Sequence, residues 1–137
     1  MSIQITRNNY RIVLKNGDIF FTNSYFLTKG KIRFREQGEV YIFYHHEIKA
    51  INPYIGRKDD YNKMIYEDDI VQVFHVSSTL QPHTTSGVVK YEPEKARYIV
   101  KNVKNLKTYE TFTDEDNVFK VLGNIHTNKI MLEVIEN

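Results

Sequence analysis

Four basic side chains stand close together in the first half of the sequence: Lys29, Lys31, Arg33 and Arg35. In extended backbone, period 2 puts Lys31, Arg33 and Arg35 on one face. Aromatic residues crowd the same stretch: Phe20, Phe21, Tyr25, Phe26, Tyr41 and Phe43. Cations neutralise phosphates and rings stack on bases, so the combination suits a single-stranded nucleic acid. Lys29, Lys31, Arg33, Arg35 and Tyr41 are the candidate contacts, for nucleic acid or for an acidic partner. The plainer alternative is that the rings fill the core of a small barrel and the basic row is its solvated side.

Other groupings offer less. His45-His46-Glu47 invites a metal reading, with His45 and Glu47 on one strand face and His46 on the other. A catalytic zinc needs three protein ligands, and His75, His83 and His126 are remote in sequence. Glu67-Asp68-Asp69 and Asp114-Glu115-Asp116 are carboxylate clusters that could serve as acid and base, but also simply begin strands and turns. Ser77, Ser78, Thr84, Thr85 and Ser86 lie near His75 and His83 without a Gly-x-Ser-x-Gly elbow. The six glycines are isolated, so no phosphate loop is present. Tyr54, Tyr61 and Tyr66, together with the loop from Ser77 to Ser86, suggest a protein-binding surface, because Tyr offers area and a hydrogen bond at modest entropic cost.

These residues must be held by strands. Aromatics make up 13% of the 137 residues, with 10 Tyr and 8 Phe, a composition that favours strands over helices. There is no cysteine, which excludes disulfides, thiolate metal sites and a Cys nucleophile. No apolar run approaches the ~20 residues of a membrane helix, and the start lacks the apolar core of a secretion signal, so a cytoplasmic location is expected. Residues 1–52 carry 8 Lys/Arg against 4 Asp/Glu, a net +4, whereas residues 53–137 carry 11 against 13, a net −2. Such asymmetry has two readings, a face for an anionic partner or a solvated surface that happens to be uneven.

Alternation predicts strands over Tyr10–Lys15, from Ile19 to Phe21 or on to Phe26, over Lys31–Arg35 and over Glu39–Tyr44. Asn16-Gly17 predicts a type I′ hairpin turn, and Lys29-Gly30 and Gln37-Gly38 predict further turns. Val40, Ile42 and Tyr44 alternate with Tyr41 and Phe43, which reads as a central strand with apolar bulk on both faces. His45 to Ile51 reads as a strand or one helical turn, closed by Asn52-Pro53. Closely spaced strands of this kind curl into small barrels that hide their edges. Leu14–Gly17 and Tyr44–Pro53 resemble the small barrels of the Sm and SH3 type. The polar stretch 53–68 places a boundary there, giving domains 1–52 and 53–137. Beyond it, strands are expected at Asp69–Val76, Gly87–Tyr91, Ala96–Lys101, Tyr109–Phe112 and Val118–Leu122. Loops are expected at 77–86 and 102–107, an acidic turn at 113–117, and a strand or short helix at 128–136.

The second half resembles the YopX family of phage and prophage proteins. Tyr54-Ile55-Gly56-Arg57-Lys58-Asp59 is similar to its opening turn. Ile65-Tyr66-Glu67-Asp68-Asp69-Ile70-Val71 is similar to its Tyr-x-Gly-Asp-Ile-Val segment. Gly87-Val88-Val89-Lys90-Tyr91 resembles its next hairpin, and Val121 to Asn128 (VLGNIHTN) resembles its closing Ile-Gly-Asn-Ile-Tyr-x-Asn segment. The resemblance covers about residues 53–132. Asp68 stands where the family has Gly, although Asp also adopts left-handed geometry. His126 stands where it has an aromatic residue, and Lys129 where it has Pro. The resemblance implies a phage origin and a mainly β fold with an SH3-like C-terminal part, and no defined activity.

The expectation is therefore an all-β protein of two small antiparallel barrel-like subdomains that binds rather than catalyses, with no cofactor and no membrane association. A host or phage protein is the first partner expected, with the chain, alone or as a homo-oligomer, as its inhibitor or modulator. Single-stranded nucleic acid is the second, and a metal-assisted hydrolase stands behind both.

Overall fold

A computed structural model of the chain describes residues 8–76, 83–102, 104, 109–113 and 117–128. Those residues form strands and two short 3-10 turns, without an α-helix. The chain is all-β. It divides into two compact units, Met1–Tyr54 and Ile55–Asn137. Ser77, Ser78, most of the loop expected at 102–107, the cluster Asp114-Glu115-Asp116 and the tail beyond Asn128 lie outside the described residues.

In the first unit, β1 (Tyr10–Leu14) pairs antiparallel with β2 (Ile19–Thr22) on one side and with β6 (Ile48–Lys58) on the other. A second antiparallel sheet holds β3 (Tyr25–Thr28), β4 (Lys31–Glu36) and β5 (Glu39–Tyr44), with β4 in the middle. Ile12 and Leu14 of one sheet meet Ile32 and Phe34 of the other at the buried centre. Phe20, Tyr25, Tyr41 and Phe43 close around them. The Phe20 ring lies 4.7 Å from Tyr41 and 5.4 Å from Phe34. Most of the aromatic stretch is thus core, as a unit this small has to fill its interior with large side chains.

Three local expectations change. Ile19 to Phe26 is two strands in different sheets. Thr22 Oγ1 lies 2.9 Å and 2.7 Å from the carbonyl oxygens of Ser24 and Arg35, and its single proton fastens the corner between them. The Asn16-Gly17 turn is not type I′, which needs positive φ at both central residues. Only Gly17 has it (φ +97), while Asn16 Oδ1 accepts from the Asp18 amide at 2.9 Å. The two positive φ values in succession fall at Gln37 and Gly38. Pro53 does not end a strand. It stands opposite Tyr10 within β6, and the next amide, that of Tyr54, donates to Asn9 at 2.8 Å. Alternation points the proline nitrogen away from β1, where no donor is needed.

The second unit takes the end of β6 with β7 (Met64–Tyr66) beside it, so strands occupy the stretch that reads as a polar linker. Gly56, with φ +90, supplies a conformation inside β6 that other residues resist. A five-stranded antiparallel sheet follows, in the order β11 (Tyr109–Thr111), β10 (Arg97–Asn102), β9 (His83–Glu92), β8 (Asp69–His75), β12 (Asn117–Asn124). β9 starts earlier than expected because Thr84 and Thr85 pair with Phe74 and Val73. Ile65, Val71, Val73, Val89, Val100, Phe119 and Val121 form the core. β11 and β12 are opposite edges, yet Phe112, just beyond β11, packs 4.9 Å from Phe119. The sheet therefore curls on itself. Its strand order stays open.

Candidate binding face

Residues directly opposite in an antiparallel pair share a face. In the β3-β4-β5 sheet, Arg33 stands between Phe26 and Ile42, Lys31 between Thr28 and Tyr44, and Arg35 opposite Val40. Ile32 and Phe34 point inward, so Lys31, Arg33 and Arg35 all point out and are exposed. Lys29 is exposed in the turn at the end of the row. Beside them lies apolar surface: Phe26 is 66% exposed, Ile42 58%, Tyr44 53% and Val40 43%. Lys31 Nζ sits 5.3 Å from the Tyr44 ring centroid, and Tyr44 stacks on His46 at 5.5 Å. No acidic side chain shares this face. Among the described residues, none of the four cations has an ion-pair partner. Two open grooves border the face. One, of about 440 Å³, is lined by Ser24, Phe26, Arg33, Phe34 and Arg35 among others. The other, of about 980 Å³, runs past Ile19, Phe21, Arg35 and Glu36.

The structure brings Lys29, Lys31, Arg33 and Arg35 together and leaves Tyr41 out. Tyr41 is on the opposite side of β5, stacked 5.7 Å from Phe34. Of the expected tyrosine surface, Tyr61 is exposed, with Lys120 Nζ 5.3 Å from its centroid. Tyr54 is half-buried. Tyr66 is a core residue, 4% exposed, its hydroxyl 3.9 Å from Met64 Sδ, because it sits in β7 between the buried Ile65 and the turn into β8. Val40, Ile42 and Tyr44 escaped the sequence reading. Apolar residues on both faces suggested a central strand, whereas β5 is an edge strand with one of its faces in solvent.

The groups that resemble catalysts have these partners. His45 begins a 3-10 turn, His45–Glu47, with its Nε2 3.0 Å from the Lys31 carbonyl oxygen. Glu47 Oε2 accepts from the Tyr44 amide at 2.8 Å. Each is occupied in a different direction. His75 Nε2 lies 3.1 Å from Thr85 Oγ1 and 3.4 Å from Glu110 Oε1, with the His83 ring stacked at 4.4 Å. A hydroxyl and a carboxylate at one ring nitrogen cannot relay a proton through the imidazole. Among the described residues, no three His, Asp or Glu side chains are grouped to hold a metal ion. Within the same limits, no helix is long and apolar enough to cross a membrane.

The carboxyl of Asp68 has a displaced pKa. Burial opposes its charge. Hydrogen bonds from Lys90 Nζ at 2.6 Å and His126 Nε2 at 2.8 Å, with their positive charges, outweigh that and hold it below the ordinary 3.8. Its φ is +71, so the left-handed turn into β8 is kept without glycine. Next to it, Asp69 Oδ2 accepts from the Tyr66 amide at 2.8 Å. At the end of β12, Asn124 Oδ1 accepts from the amides of His126 and Thr127, both at 3.0 Å. Asn128 Oδ1 caps the Asn124 amide at 3.1 Å. A side chain on Gly123 would collide with Asn128, at 2.5 Å. The polar residues of these segments therefore build turns.

The chain belongs to the YopX family: the family pattern, described as YopX protein, matches residues 15–133. The match reaches through β2–β5, well beyond the segments legible by eye, and it suggests a phage-type protein. A solved structure, protein EF1440 from Enterococcus faecalis, is similar with a TM-score of 0.56 at 16% identity, over 90% of this chain and 96% of that one. At that identity the likeness is one of fold. No curated protein matches the chain.

Proposed function

We propose that this is a non-catalytic phage accessory protein of the bacterial cytoplasm, which inhibits or modulates a host or phage protein by binding it through the outer face of β3-β4-β5. The observation that carries this reading is the exposure of Phe26, Val40, Ile42 and Tyr44 on the same face as Lys31, Arg33 and Arg35. A contiguous apolar patch costs solubility, and such patches mark interfaces. Unpaired cations among them select an acidic partner and speed its approach. Branched aliphatics favour protein over nucleic acid, since bases stack on rings and gain little from Val or Ile. The second reading, single-stranded nucleic acid, draws on Phe26 and Tyr44 flanking the basic row.

The test is capture from host lysate by the immobilised chain, with Arg33→Glu/Arg35→Glu as comparison. The reading expects a stoichiometric protein that survives nuclease treatment and is lost with the double variant. Retention that nuclease abolishes, with labelled single strands bound at low salt and released at high salt, would replace it with the second reading. No retained macromolecule, or retention indifferent to the charge reversal, would remove both.

A further inference from the structure

We infer that the free edge of β3 receives an extended acidic segment of the partner as an added strand. This rests on the binding reading above and specifies its geometry.

β3 is an edge strand of its sheet, and it leaves an apolar side chain exposed on each face. Phe26, on the outer face, is 66% exposed, and Leu27, on the inner, is 63% exposed although it pairs with the buried Ile32. An inward residue left in solvent means that the layer ends one strand too early. The two-residue turn Lys29-Gly30 makes Thr28 and Lys31 the closing, hydrogen-bonded pair of the hairpin. Alternation then directs the N–H and C=O groups of Tyr25 and Leu27 away from β4, toward the open side.

On two other edges of this unit one amide is held by a side chain. The Phe21 amide of β2 is held by Glu36 Oε2 at 2.7 Å, and the Tyr44 amide of β5 by Glu47 Oε2 at 2.8 Å. Among the described residues, no side chain from another element hydrogen-bonds to Tyr25–Thr28. Bare edges invite strand addition, and proteins that do not use them usually block them.

Charge selects the occupant. A strand beside β3 would lie ~5 Å from it, and its outward residues would come within reach of Arg33 and Arg35 across Phe26. The 440 Å³ groove, with Phe34 among its lining residues and Arg33 and Arg35 beside it, opens there. The matching segment alternates acidic residues, toward the arginines, with apolar residues that cover Leu27. A second copy fits less well, because β3 has no acid to offer and would bring two basic faces together.

The probe is a synthetic peptide alternating glutamate with valine, added to the full chain at low salt, with amide exchange and fluorescence anisotropy as readouts. Exchange at Tyr25 and Leu27 should slow by about tenfold or more. Leu27→Lys, at an exposed position that tolerates it, should weaken binding by at least about tenfold, as should Arg33→Glu. A peptide alternating lysine with valine should not bind. Protection absent from β3, tighter binding of an oligo-dT strand at the same residues, or a doubling of mass by light scattering with β3 already protected would each overturn the inference. If lysate capture still needs Arg33 and Arg35 but ignores Leu27→Lys, the added strand falls and the binding face stands.

Discussion

Asp68 shows how one side chain can hold a family's turn by different means. It accepts a left-handed backbone and repays the strain with bonds to Lys90 and His126. His126 is also a departure from the family pattern, and the two departures are in contact. Because the folded pKa of Asp68 lies below the unfolded one, its ionised form stabilises the fold above pH ~4, and that contribution is lost as pH falls through the folded value. Asp68→Gly should therefore destabilise by about 1–2 kcal/mol at pH 7, relieved backbone strain offsetting part of the lost bonds. Urea unfolding at pH 7 and pH 3 should show the gap between variant and parent shrink in acid. Ala96 is the converse case. It is exposed, has φ +49, and caps the 3-10 turn through its backbone alone, its amide donating to the Pro93 carbonyl oxygen at 3.2 Å. Ala96→Gly should raise stability by about 0.5–1 kcal/mol in the same assay.

At the level of elements, β9 has a position with no slack. A Cβ on Gly87 would come within 2.3 Å of the Lys101 carbonyl oxygen, in the paired strand β10. Backbone cannot yield as a side chain does, so Gly87→Ala should cost about 2–4 kcal/mol, read from thermal or urea unfolding. Strand positions were largely legible, because alternation such as Lys31–Arg35 and Asp69–His75 follows directly from one face being buried. Sheet membership was not. Ile19–Phe26 looks continuous in sequence, and only the Thr22 corner divides it between sheets. The basic row of the candidate face was visible as a period of two. Its apolar flank was hidden, because an apolar residue on an edge strand has the same spacing as one in a core. Tyr41 and Tyr44 belong to one strand, and cross-strand register alone separates the core ring from the exposed one. Tyr66 is hidden for the same reason: chemistry names a surface residue, and its place in β7 buries it.

Across the whole molecule, the charge excess of the first half finds a location. The net +4 of residues 1–52 includes the four cations of the β3–β4 hairpin, on a face without acids. The described segments that resemble the family by eye lie in turns and strands beyond residue 53, whereas the account places function on the outer face of β3-β4-β5, which the family match over residues 15–133 also spans. That division is the central claim. It is tested most directly by capturing the lysate partner, side by side, with the parent chain, Arg33→Glu/Arg35→Glu and Asp68→Gly, each with its unfolding curve. The account predicts that the charge reversal abolishes capture by at least about tenfold with the unfolding midpoint nearly unchanged, as expected for exposed sites. Asp68→Gly should lower the midpoint and still capture the partner while folded. Undiminished capture by the charge-reversed chain, together with loss of capture by folded Asp68→Gly, would contradict it.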